Sequence, residues 1–250
     1  MSPAPELKLH HVPPSHPSRA VEAALVIKGL DFELVDMSDP SAPHTEAMEA
    51  IFGEGNGTVP GLTVDGEPVH GSRPIMARIE ELAPDPPLFP ADRADEVREA
   101  ERWGDDELQQ LGRDLAWGAL HFRPEQLGVV AGGEPLDPAG TDFAIRYVRA
   151  TWRYHGLTAV RIAEDLEGLP EKLDHVDALI ADGVIGGETP NAADLQIGST
   201  LRIFDTIGDL APLLADRPAG DLGERWFPEY MRGAVLPAGA FPAGWVPERS

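Results

Sequence analysis

The sequence predicts an α/β domain of order βαβ-α-ββα followed by an all-α helical bundle. Three observations predict it. Leu7-Lys8-Leu9-His10-His11-Val12 alternates apolar with polar and is followed by a segment of helical period and then by a second short strand. Val59-Pro60 stands directly before another strand-like run, which ends in an Asp-Gly turn. Beyond a proline cluster at 83–87, only helix-period patterning remains.

The elements follow in order. The first strand, over 7–12, is stopped by Pro13-Pro14. A helix follows, with Ser18 placed to cap it, Val21, Ala24, Leu25 and Lys28 at helical spacing, and Gly29 ending it. Phe32-Glu33-Leu34-Val35-Asp36-Met37 reads as the second strand, and so short a strand-helix-strand run implies a parallel unit. A short helix is expected over 45–52, then a glycine-rich stretch to Gly57 that has the composition of a site-covering loop.

A proline before a strand cannot join the ladder, and X-Pro bonds are the ones that adopt cis at low cost. The turn at Val59-Pro60 is therefore expected to be cis and to leave the Val59 N–H and C=O open to an extended, peptide-like ligand. Leu62 to Val64 and Pro68-Val69, joined by Asp65-Gly66, make an antiparallel hairpin. Gly71-Ser72 then opens a helix to about residue 82, whose first N–H groups suit a carboxylate.

The domain organisation read from this is 1–84 for the α/β domain, 85–91 for a Pro-rich linker and 92–250 for the helical domain. Helices are expected over 92–122, 141–166, 169–183 and 191–207, with an irregular loop over 128–140. The Pro- and Gly-rich tail from Pro237 is expected to lie along the surface, anchored by Phe241 and Trp245.

Composition narrows the function. The net charge of -23 speaks against nucleic acid or an anionic membrane as partner, since phosphate binding needs a basic face. No cysteine occurs, which excludes disulfides, a catalytic thiol and cysteine-ligated zinc. Thiol chemistry, if any, must act on a thiol that the substrate brings. His10 and His11 are adjacent on a strand and face opposite ways, so no metal is expected there. The N-terminal residues lack the pattern of a signal peptide, and a cytoplasmic location is the expectation.

Three segments carry a resemblance to the cytosolic glutathione S-transferases. Ser15-His16-Pro17-Ser18-Arg19-Ala20-Val21 resembles the segment after the first strand in the serine-type, theta-like bacterial branch. Thr58-Val59-Pro60-Gly61-Leu62 resembles the family's proline turn, and Gly71-Ser72-Arg73-Pro74-Ile75 its Glu-Ser-x-Ala-Ile segment. Asn191-Ala192-Ala193-Asp194 falls where the family has a capping box, with Asp194 a structural residue. The resemblance implies a thioredoxin-like first domain, a homodimer, and glutathione as co-substrate attacking a small apolar electrophile.

It also implies site roles. Ser15 is the expected catalytic hydroxyl, with helix capping as the competing role and Ser18 as the alternative hydroxyl. Val59, Pro60, Gly71, Ser72, His44, His16 and Ser18 are the expected thiol-binding residues. Trp117, His121 and Phe122 are expected to line the electrophile pocket. Arg19 is expected to be solvated. Gly71 departs from the family's acidic residue and removes a partner for the glutathione ammonium group. A non-catalytic thiol or small-molecule binding protein that keeps the fold is therefore the rival reading.

Overall fold

The computed structural model describes residues 4–38, 44–232 and 236–248. Four strands, β1 (Leu7–His11), β2 (Glu33–Asp36), β3 (Gly61–Val64) and β4 (Glu67–His70), form one sheet in the order β2-β1-β3-β4. β1 and β2 are parallel, and the other neighbours are antiparallel. The expected βαβ-α-ββα order is present, with helices α1 (His16–Ile27), α2 (His44–Phe52) and α3 (Ser72–Leu82). This is a thioredoxin-like domain, and a large helical region follows it.

Local chemistry explains each join. Gly29 takes φ 64° after α1, the left-handed value that glycine adopts without a Cβ penalty. Asp65 and Gly66 both have positive φ, as a two-residue hairpin of this twist demands. The Val59-Pro60 bond is cis. Leu9, Leu25, Leu62, Ile75, Met76 and Ile79 are wholly buried and form the core of this layer. The buried Lys28 ammonium pairs with Glu80 of α3, and Glu80 also accepts the Leu88 N–H at 2.9 Å.

The cap of α1 lies three residues earlier than expected. Ser15 is the N-cap, and Ser18 lies inside the first turn, because Pro17 suits the first turn of a helix and Ser15 supplies an acceptor for the Ser18 N–H. Arg19 is not solvated: its Nε donates to Pro13 O at 3.0 Å and its guanidinium pairs with Glu22.

Residues 94–122 are helical as α4 (Ala94–Trp103), a π-helical turn over Gly104–Gln109, and α5 (Gln110–Phe122). The short α6 (Leu127–Val130) occupies part of the expected loop. The helices expected over 141–166 and 169–183 are instead α7 (Pro138–His155) and α8 (Ala159–Ala181). The break falls at Gly156, with φ 65°, and Thr158 caps α8 by accepting the Arg161 N–H at 3.1 Å. Pro170 is carried inside α8. α9 (Ala192–Asp205), α10 (Ala211–Leu214) and α11 (Pro218–Trp226) complete the chain.

Asp194 accepts the Asn191 N–H at 3.0 Å and returns its own N–H to Asn191 Oδ1, so the expected capping box is present at the start of α9. Two compact units comprise residues 1–105 with 184–199, and 106–183 with 200–250.

Candidate thiol-activating site

The sheet register decides which loops meet. His10 of β1, Gly61 of β3 and His70 of β4 form one row across the sheet. The segments leaving that row are 11–15, 58–60 and 71–72, so Ser15, the proline turn and Ser72 gather at one end of the domain. Two helix N-termini, those of α1 and α3, open at that end and favour an anion there. Gly71 N–H donates to Pro60 O at 3.0 Å, which ties the helix entry to the turn.

Ser15 is half-buried, and its Oγ accepts twice from Ser18: from the N–H at 3.4 Å and from the hydroxyl at 2.9 Å. A hydroxyl has two acceptor lone pairs and one proton. With both lone pairs engaged on the protein side, the Ser15 proton is the group left to donate outward. Ser18 itself is fully buried.

Val59 is half-buried, and its N–H and C=O make no hydrogen bond with any described residue. Ser72 is buried at the first turn of α3, again without a side-chain hydrogen bond among the described residues. Gly71 has φ 89° and ψ 147°, a conformation open essentially to glycine alone. His16 is buried in the first turn of α1. His44 begins α2, and its side chain lies outside the described residues.

Three features of this site were not singled out in the sequence. Phe52 of α2 sits on the row just described, 5.2 Å from the His10 ring and 5.9 Å from the His70 ring. The available signal was Gly61, since a glycine at a strand start marks a close approach. A Cβ there would lie 2.3 Å from the Phe52 ring. His70 Nε2 also bonds Thr58 O at 2.7 Å and holds the loop before the turn.

The third feature is Glu101 of α4, 3% exposed, with Oε1 unpartnered. Burial raises its pKa to about 7 against the opposing pull of Arg73 and Arg98. Arg73, the residue after Ser72, has its Nε buried without a partner and lies 4.0 Å from Asp105. Glu101 is four residues beyond Val97 on one helical face, so its burial was legible from that spacing.

His10 and His11 face opposite sides of β1, as expected: His10 packs on Phe52, while His11 lies in the field of Arg19 and Glu22. Burial lowers both pKa values, aided by Lys8 for His10 and Arg19 for His11. Both rings are neutral near pH 7.

In the second unit, the three residues expected to line a pocket join an aromatic cluster. The Trp117 ring is 5.9 Å from Tyr147, His121 stacks on Trp152 at 3.8 Å, and Phe122 meets Trp245 edge-on at 5.6 Å. His121 borders a cavity of about 160 Å³, shared with Pro124, Ile145, Val148 and Arg149. Trp117 and Phe122 do not line it. Burial, then Arg149, lowers the His121 pKa. Phe241 is buried, so both expected anchors of the tail hold it.

No curated protein sequence matches the chain. Among solved structures, glutathione transferase F7 from Populus trichocarpa is similar with a TM-score of 0.62 at 20% identity, over 92% of this chain and 100% of that one. The beta-etherase LigF from Sphingobium sp. strain SYK-6 gives 0.60 at 21%, over 88% and 99%. A glutathione S-transferase from Methylobacterium radiotolerans in complex with glutathione sulfonate gives 0.55 at 20%, over 95% and 98%. Residues 9–87 match the family profile described as glutathione S-transferase, N-terminal domain. This α/β segment is thus similar to that domain, and the chain as a whole has the fold seen in glutathione transferases.

Proposed function

We propose that the protein is a glutathione transferase-like enzyme of the serine type, which activates the thiol of glutathione or a related low-molecular-weight thiol for attack on a small apolar electrophile. One observation carries this reading: the Ser15 hydroxyl, at a helix N-terminus, has its acceptor positions filled by Ser18 and its proton free to donate. A hydroxyl that donates to sulfur stabilises the thiolate over the thiol. The thiol proton goes to solvent, the thiolate attacks the electrophilic carbon, and the leaving group departs. Because Ser18 is fully buried, Ser15 is the active hydroxyl in this reading.

The rest of the domain, assigned here to residues 1–84 with a linker over 85–91, holds the thiol peptide. The Val59 backbone pairs with the extended ligand, and Pro60 fixes that turn. Gly71 admits the backbone conformation that presents Ser72, whose helix end takes the γ-glutamyl carboxylate. His16 supports the first turn of α1, and His44 is assigned to the glycyl carboxylate. The helical domain, over 92–250, supplies the electrophile pocket through Trp117, His121 and Phe122. We assign the protein to the cytoplasm, with no metal, no nucleic acid and no membrane among its partners. The homodimer belongs to the same proposal.

Conjugation is the default reaction, and ether cleavage, dehalogenation and isomerisation use the same thiolate. The similar fold of a beta-etherase supports keeping ether substrates among those assayed. Gly71 favours the second reading, a thiol-binding protein without turnover, since it lacks the acidic side chain for the ligand ammonium. Isothermal calorimetry with glutathione tests the assignment. Binding in the micromolar to low millimolar range supports it, and no binding up to about 10 mM, roughly -3 kcal/mol, sinks glutathione as the thiol.

A further inference from the structure

The join between β4 and α3 holds the proline turn at two points. His70, the last residue of β4, donates from Nε2 to Thr58 O at 2.7 Å, and Gly71 donates its N–H to Pro60 O at 3.0 Å. Between these two held carbonyls stands Val59, whose own N–H and C=O have no partner among the described residues. The clamp grips either side of Val59 and leaves its backbone open.

The bond at Thr58 acts on Val59 directly, because the Thr58 C=O and the Val59 N–H belong to one peptide unit. That unit is planar and trans, so its C=O and N–H point in opposite directions. A ring fastened to the oxygen sets the plane and turns the Val59 N–H away from the imidazole. A carbonyl that accepts a hydrogen bond also polarises its own peptide, which strengthens the N–H as a donor. Thr58 O can only accept, so the hydrogen of the pair is on Nε2.

The ring is itself braced. His70 pairs with Gly61 in the register of β3 and β4 and lies 5.9 Å from Phe52, tilted by 47°. Phe52 is buried and also meets His10 edge-on at 5.2 Å. Gly61 admits this contact, since a Cβ there would lie 2.3 Å from the Phe52 ring. Asn56 ties down the same end of α2 by donating from Nδ2 to Phe52 O at 2.7 Å. A bond near the surface competes with water, and a braced ring loses less rotamer freedom in making it.

We propose that His70 is a positioning residue for the bound thiol: its Nε2–H, fixed on Thr58 O, aims the Val59 N–H at an amide carbonyl of the ligand. This rests on the reading above, in which an extended peptide thiol pairs with Val59. It adds a demand on the ligand, which must carry an amide carbonyl, so a peptide thiol is favoured over a thiol without one. His70 acts on affinity and not on the acidity of the sulfur, which is the task of Ser15.

Two variants separate the hydrogen bond from the packing. His70→Phe keeps a ring against Phe52 and removes the donor, whereas His70→Gln removes the ring and places an amide N–H near the position of Nε2. Calorimetry with glutathione should give a dissociation constant about three- to tenfold higher for His70→Phe, and one within about twofold of the wild type for His70→Gln. In amide NMR spectra of the free protein, the Val59 proton resonance should move upfield in His70→Phe and stay near its wild-type position in His70→Gln. The pKa of the bound thiol at saturating glutathione should be the same in both variants and the wild type. Equal affinity in the wild type and His70→Phe overturns the role of His70 and leaves the thiol reading in place. Equal weakening in both variants overturns it as well, because the packing of the ring then matters and its donor does not. A wild type that binds no glutathione up to about 10 mM overturns the thiol reading itself, and this role with it.

Discussion

Ser18 donates its hydroxyl to Ser15 at 2.9 Å, one turn along α1, and is itself fully buried. A serine at a helix start would ordinarily spend its oxygen on capping alone. Here the cap and the donor are compatible, because capping uses the lone pairs of Ser15 and leaves its proton.

Ser15→Ala should therefore separate the two roles. Loss of the cap costs about 1 kcal/mol of stability. Loss of the donor should lower kcat/KM for thiol transfer by about ten- to a hundredfold, matching one to two pKa units at the bound sulfur. Ser18→Ala removes the orienting bond without the donor and should lower activity by about three- to tenfold. Steady-state kinetics beside thermal melts of both variants checks the split.

Glu101 should give stability a pH dependence near neutrality. Its pKa in the fold is about 7 against an ordinary 4.5, so the folded state favours the protonated acid. The stabilisation is full below about pH 4.5 and is lost as the pH rises through about 7. The Glu101 share of the unfolding free energy should fall between pH 5 and pH 8 by about 2–3 kcal/mol. Glu101→Gln should remove that share and leave the smaller fall owed to Asp165 and Asp205, whose burial raises their pKa values to about 6, and urea melts at the two pH values measure it.

Gly61→Ala tests the packing of α2. The new Cβ would sit 2.3 Å from the Phe52 ring, so the ring must leave the row it shares with His10 and His70. A destabilisation of about 1–3 kcal/mol is expected. Phe52→Leu in the same background should recover part of it, and a double-mutant cycle reads the coupling.

Asp194→Ala removes a buried carboxylate that accepts the N–H of Asn191 at 3.0 Å and of Gly186 at 2.7 Å. One buried donor, the Asn191 N–H, and one part-buried donor, the Gly186 N–H, then lose their acceptor, at about 1–3 kcal/mol for the buried one and less for the other. Chemical denaturation should show a loss above 2 kcal/mol, while Asp194→Asn recovers part of it.

The α/β domain was legible because its signals are local. The alternation in β1, the Asp65-Gly66 turn, the proline at residue 60 and the glycine at residue 29 each act within a few residues. The helix breaks were harder. Pro170 is tolerated inside α8, whereas the actual break needed Gly156 and Thr158 together, neither of which interrupts apolar spacing. The burial of Ser18 beneath Ser15 was hidden because it depends on where α1 begins. The field of Arg73 at Glu101 joins segments far apart in sequence, and no local pattern announces it.

The most direct test of the central claim is the pKa of the bound thiol, followed by thiolate absorbance near 240 nm, a wavelength of about this value for any alkyl thiolate, as glutathione-saturated protein is titrated with base. The account predicts a value one to two units below the free thiol's, roughly 8.5, in the wild type, returning to the free value in Ser15→Ala. An unshifted thiol in the wild type, or a shift that survives in Ser15→Ala, would contradict it.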